Sequence, residues 1–133
     1  MKLSAGAQKI YNILQTYKKD FSMEKSFPNL NSFKGKKLRF DFCVYNLNGD
    51  IDFLIEFDGA GHFQDIKHFY KTNKKFDNAK GRDRLKNNYC LAHKIPLYRI
   101  PYWEIDNINT FKDILQPKFL VTSQYHNDRL TLK

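Results

Sequence analysis

The sequence predicts an α/β fold, a single domain with a mixed central sheet of about four strands flanked by helices. Three observations predict it. Segments of helical and of alternating period follow one another in the order α-β-β-β-loop-α-β-α. The chain has 133 residues, one ordinary domain's worth. Hydrophobic residues make up 41%, with 12 Phe and 8 Tyr, so a packed core is available and wholesale disorder is excluded.

The first helix starts where the Ser4 hydroxyl can cap it. Apolar residues then recur at Ala7, Ile10, Leu14 and Tyr17, a helical period running to about Lys19. Phe21 to Phe27 is a short extended run stopped by Pro28-Asn29, and Asn31 to Lys37 is a polar turn containing Gly35. LRFDFCVY, Leu38 to Tyr45, reads as a strand with Leu38, Phe40, Phe42 and Val44 on one face and Arg39, Asp41 and Cys43 on the other. A hairpin turn around Asn48-Gly49 leads into its partner, Asp52 to Asp58. Gln64 to Arg82 is long, polar and Lys-rich and reads as a mobile loop, with or without a short helix. Asp83 to Lys94 reads as a helix with Leu85, Tyr89 and Ala92 on one side. Ile95 to Tyr102 is a proline-bounded buried strand by length, and Asn109 to Leu115 a final helix. There is no internal repeat.

Lys and Arg number 23 against 14 Asp and Glu, a net charge of +9 with a pI near 9.5. Such a surplus points to a polyanion, meaning nucleic acid or an anionic membrane face. Mean hydropathy is −0.66 and the apolar runs are short, so no membrane span is expected. The opening MKLSAGAQKI has no signal-peptide core. Cys43 and Cys90 lack zinc spacing and are too few for a disulfide framework. A reduced, cytoplasmic protein is the expectation. Plentiful Lys, Asn, Phe, Tyr and Ile match AT-rich codons and so a low-GC bacterial or phage genome.

Three acids stand where carboxylates are expensive. A hairpin closed near Asn48-Gly49 sets Asp41 roughly opposite Glu56, and alternation puts Glu56 and Asp58 on one face with Phe57 on the other. Charges that close repel unless a cation sits between them, and a hard divalent ion such as Mg²⁺ is the natural neutraliser. The plainer reading makes them exposed-face residues of a half-buried pair. His62 follows the glycine turn, with a pKa suited to proton transfer near neutrality. Asp83 either caps the later helix or hydrogen-bonds His62.

Arg39-Phe40-Asp41-Phe42, then Ile55-Glu56-Phe57-Asp58-Gly59 and His62, resembles the PD-(D/E)xK nuclease superfamily. Asp83-x-x-Lys86-x-x-Tyr89-Cys90 and Pro96-Leu97-Tyr98-Arg99-Ile100-Pro101-Tyr102 strengthen the match. The branch it looks most like is the very-short-patch-repair-like, or EDxHD, endonucleases of phages and mobile elements. The resemblance covers roughly residues 4 to 104. It implies a restriction-endonuclease-like domain over 1–116, followed by a C-terminal tail over 117–133. It also implies Mg²⁺- or Mn²⁺-dependent hydrolysis of DNA phosphodiesters, with nicking, homing and branched-DNA cleavage all within its range.

Residue by residue, the resemblance implies Asp41 as the central metal-binding aspartate and Glu56 as the second acid. The Phe57 carbonyl supplies a further metal contact, and His62 and Asp83 form the histidine–aspartate pair. Asp58 stands where the superfamily usually has its lysine, for which Lys86 is a candidate substitute. The branch often carries Ser-x-Gly-Glu in its first helix, whereas this chain has Ser4-Ala5-Gly6-Ala7. Either the acid is dispensable, or Glu24 replaces it, or the chain is an inactive variant. The alternative function is then a non-catalytic nucleic-acid-binding module on the same fold.

Lys34, Lys36, Lys37 and Arg39 ahead of the acids, and Lys67, Lys71, Lys74 and Lys75 after them, are the candidate phosphate contacts. A solvated face is the competing reading. The partner expected is DNA, or RNA, bound by a monomer or homodimer with no membrane involved.

Overall fold

A computed structural model of the chain describes residues 2–60 and 79–126. The elements are α1 (Ala5–Thr16), β1 (Phe21–Asn31), β2 (Lys37–Tyr45), β3 (Ile51–Asp58), α2 (Ala79–His93), β4 (Leu97–Pro101) and a one-turn helix α3 (Phe111–Ile114). Two 3₁₀ turns, Tyr102–Asn107 and Pro117–Phe119, flank α3. The protein is α/β, with one mixed four-stranded sheet in the order β1-β2-β3-β4. The first three strands are antiparallel, and β4 joins β3 in parallel after the chain returns through α2. No described helix is long and apolar enough to cross a membrane.

Local sequence accounts for most boundaries. The Ser4 hydroxyl accepts from the Ala7 amide and starts α1. Asn46 Oδ1 accepts from the amides of Asn48 and Asp50, and Gly49 takes φ +83°, closing the β2–β3 hairpin. Thr110 and Asp113 form a reciprocal capping box on α3.

Four expectations change. β1 runs through Pro28 to Asn31, because it is an edge strand and its register to β2 breaks between Ser26 and Asn31, where the missing N–H has no ladder partner to disappoint. Tyr17 caps α1 and is 45% exposed instead of joining the core. α2 starts at Ala79, so Asp83 sits in its second turn and cannot cap it, and the last residues assigned to the loop are helical. Phe119 and Val121 enter the core, so the described part of the expected tail belongs to the domain.

Each sheet face carries its own apolar cluster. Ile10, Ile13 and Leu14 of α1 pack on Phe42, Val44, Phe53 and Ile55. On the other face Leu38, Phe40, Cys43 and Leu54 meet Cys90 of α2. The apolar set of β2 is therefore divided: Leu38 and Phe40 face α2, while Phe42 and Val44 face α1. The strand changes face at Asp41. β1 does the same, with Phe21 and Met23 on the α1 side and Phe27 on the α2 side. Met23 pairs with Phe42 and Lys25 with Phe40, so the residue between them opposite Asp41 is Glu24, which adopts φ +54°. A left-handed glutamate is strained by roughly 1–3 kcal/mol, which marks this break in the pleat as a built feature.

Gly6 is fixed by what lies against it. A Cβ there would stand 2.2 Å from the Phe57 ring. Gly6→Ala is expected to cost about 1–3 kcal/mol, since either α1 or the ring must move. A urea midpoint equal to the parent's would show that the contact gives way freely.

Candidate active site

Asp41 lies across from Glu56, one step beyond the Phe42–Ile55 pair. At the break in the pleat the strands are laced by side chains. The Phe57 amide donates to Asp41 Oδ2 at 2.8 Å, and the Asp41 amide donates to Glu56 Oε1 at 3.3 Å. The two acids expected to face each other do so, near the C-terminal end of β3.

Lys86 reaches this pair from α2. Its Nζ is 2.7 Å from Glu56 Oε1, the two side chains being 11% and 4% exposed, and it passes over the Phe40 ring. The polar face of α2 explains how. Asp83, Lys86, Asn87 and Cys90 are buried and share one helical face, whereas Ala92, expected inside, is exposed and Leu85 and Tyr89 are only half-buried. The helix packs on β3 through groups that need partners.

Burial, then the charge of Glu56, push the Asp41 carboxyl up to about 7. The Phe57 amide and Lys86 pull it down without prevailing. The unfolded chain releases this proton near 3.8, so between about 4 and 7 the folded form holds a proton the unfolded form has lost. Stability from this group is complete below about pH 4 and disappears as pH rises through about 7. Asp41→Asn is expected to remove that decline. Its advantage over the parent should grow across this window to at most roughly 4 kcal/mol. Urea midpoints at successive pH values check this, and parallel curves for the two proteins would refute it.

Asp58 and Asp83 belong to a second, neighbouring arrangement centred on Arg99 of β4. Arg99 is wholly buried: Nη1 is 2.7 Å from Asp58 Oδ1, Nη2 is 3.4 Å from Asp83 Oδ1, and Nε donates to Asn87 Oδ1 at 2.6 Å. Burial opposes its charge, but Asp58, Asp83 and Glu56 together raise its pKa above the ordinary arginine value. This network ties β3, β4 and α2 together. The sequence reading names Arg99 only within the matched run Pro96–Tyr102, without a role, and does not name Asn87. The available signal was an arginine inside the apolar run Leu97–Pro101, matched by polar residues at helical spacing in α2.

The remaining candidates divide by location. His62, Lys67, Lys71, Lys74 and Lys75 lie outside the described residues. Lys34, Lys36 and Lys37 are exposed around the β1–β2 turn, and Arg39 is exposed on β2. Ala7 packs in the α1-side core with Ile10 and Phe42. That setting is apolar.

Among the described residues no group of three or more His, Cys, Asp or Glu side chains is arranged to hold a metal ion. Two carboxylates are at hand. Asp41 Oδ1 and Glu56 Oε2 take no hydrogen bond or ion pair among the described residues, because each side chain is engaged through its other oxygen. That donor set fits Mg²⁺, which keeps several waters and is held by one or two carboxylates together with substrate phosphate.

No protein-family model matches the chain, and no solved structure matches it. Eighty residues are 31% identical to the uncharacterized protein 307L of Invertebrate iridescent virus 6, a match covering 60% of this chain. The chain spans 37% of that protein's length.

Proposed function

We propose that this domain is a metal-dependent nuclease that hydrolyses DNA phosphodiesters at the Asp41–Glu56–Lys86 site. The observation that carries the reading is the convergence of two carboxylates and one lysine from three elements, with Lys86 Nζ 2.7 Å from Glu56 Oε1 and Asp41 pinned by the Phe57 amide. The resemblance of Arg39–Phe42 and Ile55–His62 to PD-(D/E)xK nucleases supports the same assignment. So does the net charge of +9.

Asp41 Oδ1 and Glu56 Oε2 would hold Mg²⁺ or Mn²⁺, and the ion would supply an activated water and stabilise charge developing on phosphoryl oxygens. The chain's own groups do the rest. The Phe57 amide fixes one Asp41 oxygen and so orients the other. Glu56 fixes the Lys86 ammonium, whose further N–H donors can meet a phosphate oxygen. The Arg99 network holds β3 and α2 at the spacing this requires. Asp58 and Asp83 act as its anchors. Proton transfer falls to His62 on the strength of the resemblance.

The second reading, a non-catalytic nucleic-acid-binding module, is favoured by Ala7, which offers no acid from α1. Incubation with supercoiled, linear, branched and single-stranded DNA, in Mg²⁺, Mn²⁺ or EDTA, separates the two. Cleavage in either metal and none in EDTA is the expected result. Tight binding without cleavage on every substrate would establish the module instead.

A further inference from the structure

β4 ends the sheet, and the chain returns along its outer side after α3. Tyr98 bridges to Leu120, and the Val121 amide donates to the Leu97 carbonyl. Next to that bridge the returning chain is a 3₁₀ turn, Pro117–Phe119, and β4 itself runs into the 3₁₀ turn Tyr102–Asn107. Lys118 Nζ ties the two turns together, 3.0 Å from Glu104 Oε1. At this junction opens a cavity of about 460 Å³ lined by Arg99, Pro101, Trp103, Glu104, Lys118 and Phe119, with buried His126 completing it. Small-molecule sites occupy about 300–1,000 Å³.

The sheet register places the cavity. Arg99 pairs with Glu56 and Pro101 with Asp58 across the parallel β3–β4 ladder. Arg99 also holds Asp58 at 2.7 Å. Neighbouring strands lie about 4.8 Å apart, so the β4 wall of the cavity stands one strand from Glu56 and two from Asp41.

Charges in the wall are matched. Lys118 pairs with Glu104, and the Arg99 guanidinium is engaged by Asp58, Asp83 and Asn87. Such a balance suits a neutral ligand better than a phosphate. The remaining surface is aromatic and apolar. Trp103 is 45% exposed, Tyr102 meets its ring edge-to-face at 5.3 Å, and Phe119 and Pro101 are buried. Glu104 supplies one directed acceptor. Its Oε1 takes Lys118 and, at 3.4 Å, the Asn107 side chain, while Oε2 takes no hydrogen bond or ion pair among the described residues.

An indole face beside a carboxylate acceptor fits a flat ring with N–H groups on its edge. A nucleobase taken out of its stack is held in this way, by an aromatic face and by hydrogen bonds to its edge. A carboxylate accepts from the amino group of cytosine, where thymine presents a carbonyl oxygen.

We infer that this cavity binds one unstacked base of the nucleic-acid strand that crosses Asp41 and Glu56. Trp103 is the stacking surface, and Glu104 selects bases that carry an amino group. The inference rests on the nucleic-acid reading of the domain but does not require that it cuts.

Trp103 is the chain's one tryptophan, so its fluorescence reports on the cavity directly. The test is titration of the full chain in EDTA, at fixed low salt, with fluorescein-free (dC)8, (dT)8 and an eight-unit abasic strand. The (dC)8 strand should quench Trp103 and bind about 5- to 150-fold more tightly than the abasic strand, the worth of one stacked base. The (dT)8 strand should bind about tenfold more weakly than (dC)8, the worth of one hydrogen bond to a charged group. Glu104→Gln should erase that difference. Trp103→Leu, followed by anisotropy of the same strands carrying a dye, should weaken (dC)8 and leave the abasic strand unchanged. Equal binding of (dC)8 and the abasic strand overturns the inference alone, as does binding that leaves Trp103 fluorescence unaltered. Failure of every strand and of duplex DNA to bind overturns the nucleic-acid reading, and this inference with it.

Discussion

Lys86→Met is expected to lower Mg²⁺-dependent cleavage by about 10²- to 10⁴-fold, the range over which a positioned catalytic group typically acts. The lysine is the one cation in direct contact with the carboxylate pair among the described residues. It is anchored on Glu56, so its ammonium is placed before substrate binds. Methionine keeps the stem that crosses Phe40 but removes the charge. Breaking a buried pair can also unfold a protein, since Glu56 would be left charged and alone beside Asp41. The double variant Glu56→Gln/Lys86→Met isolates the folding effect: it should fold at least as well as Lys86→Met, and its loss of cleavage would also reflect the altered metal ligand. A folded Lys86→Met protein that cleaves at the parent rate would reduce the lysine to a counterion for Glu56.

The other large effect is on folding. Arg99→Met should cost about 3–5 kcal/mol, because Asp58 and Asp83 stay buried without the guanidinium that neutralises them. For a domain this small, that is a large fraction of total stability. The loss has a pH signature. Buried carboxylates that lose this cation have raised pKa values, so the variant should recover stability as pH falls and they take up protons. Adding Asp58→Asn and Asp83→Asn should restore much of the loss at neutral pH. If Arg99→Met melts like the parent at pH 7, the network contributes nothing net.

The carboxylate half of this site was legible in the sequence. Asn48-Gly49 places the hairpin and so brings Asp41 to within a residue of Glu56, and a register shift between Val44 and Tyr45 sets the final pairing. Which face each strand presents was less legible. Alternation predicts one apolar face from Leu38 to Val44, but the pleat breaks at Asp41 opposite a left-handed Glu24, and no local pattern announces that. α2 was misread for a different reason. Leu85, Tyr89 and Ala92 suggest an apolar stripe, yet the buried face is the one carrying Asp83, Lys86 and Asn87. Their partners, Arg99 and Glu56, come from strands remote in sequence, so a helical wheel drawn for α2 alone cannot show them. Lys86 as the substitute for a lysine at position 58 followed from the resemblance. Its contact with Glu56 needed the tertiary structure.

The sheet is put together from parts that meet at different times. β1, β2 and β3 are consecutive hairpin neighbours, so their pairing closes short loops, whereas β4 must return to β3 across roughly 40 residues. Short-range pairing comes first on entropic grounds. A chain folded only as far as β3 already owns both carboxylates but neither Lys86, Arg82 nor Arg99. Pulse-labelled hydrogen exchange should therefore protect β2 and β3 amides before those of β4, and simultaneous protection would contradict this order. Its consequence is one of order: a half-made chain, on the ribosome or unfolding locally, carries both acids and the basic residues Lys34 to Arg39 but not Lys86, so the carboxylate pair gains its cation only when α2 docks.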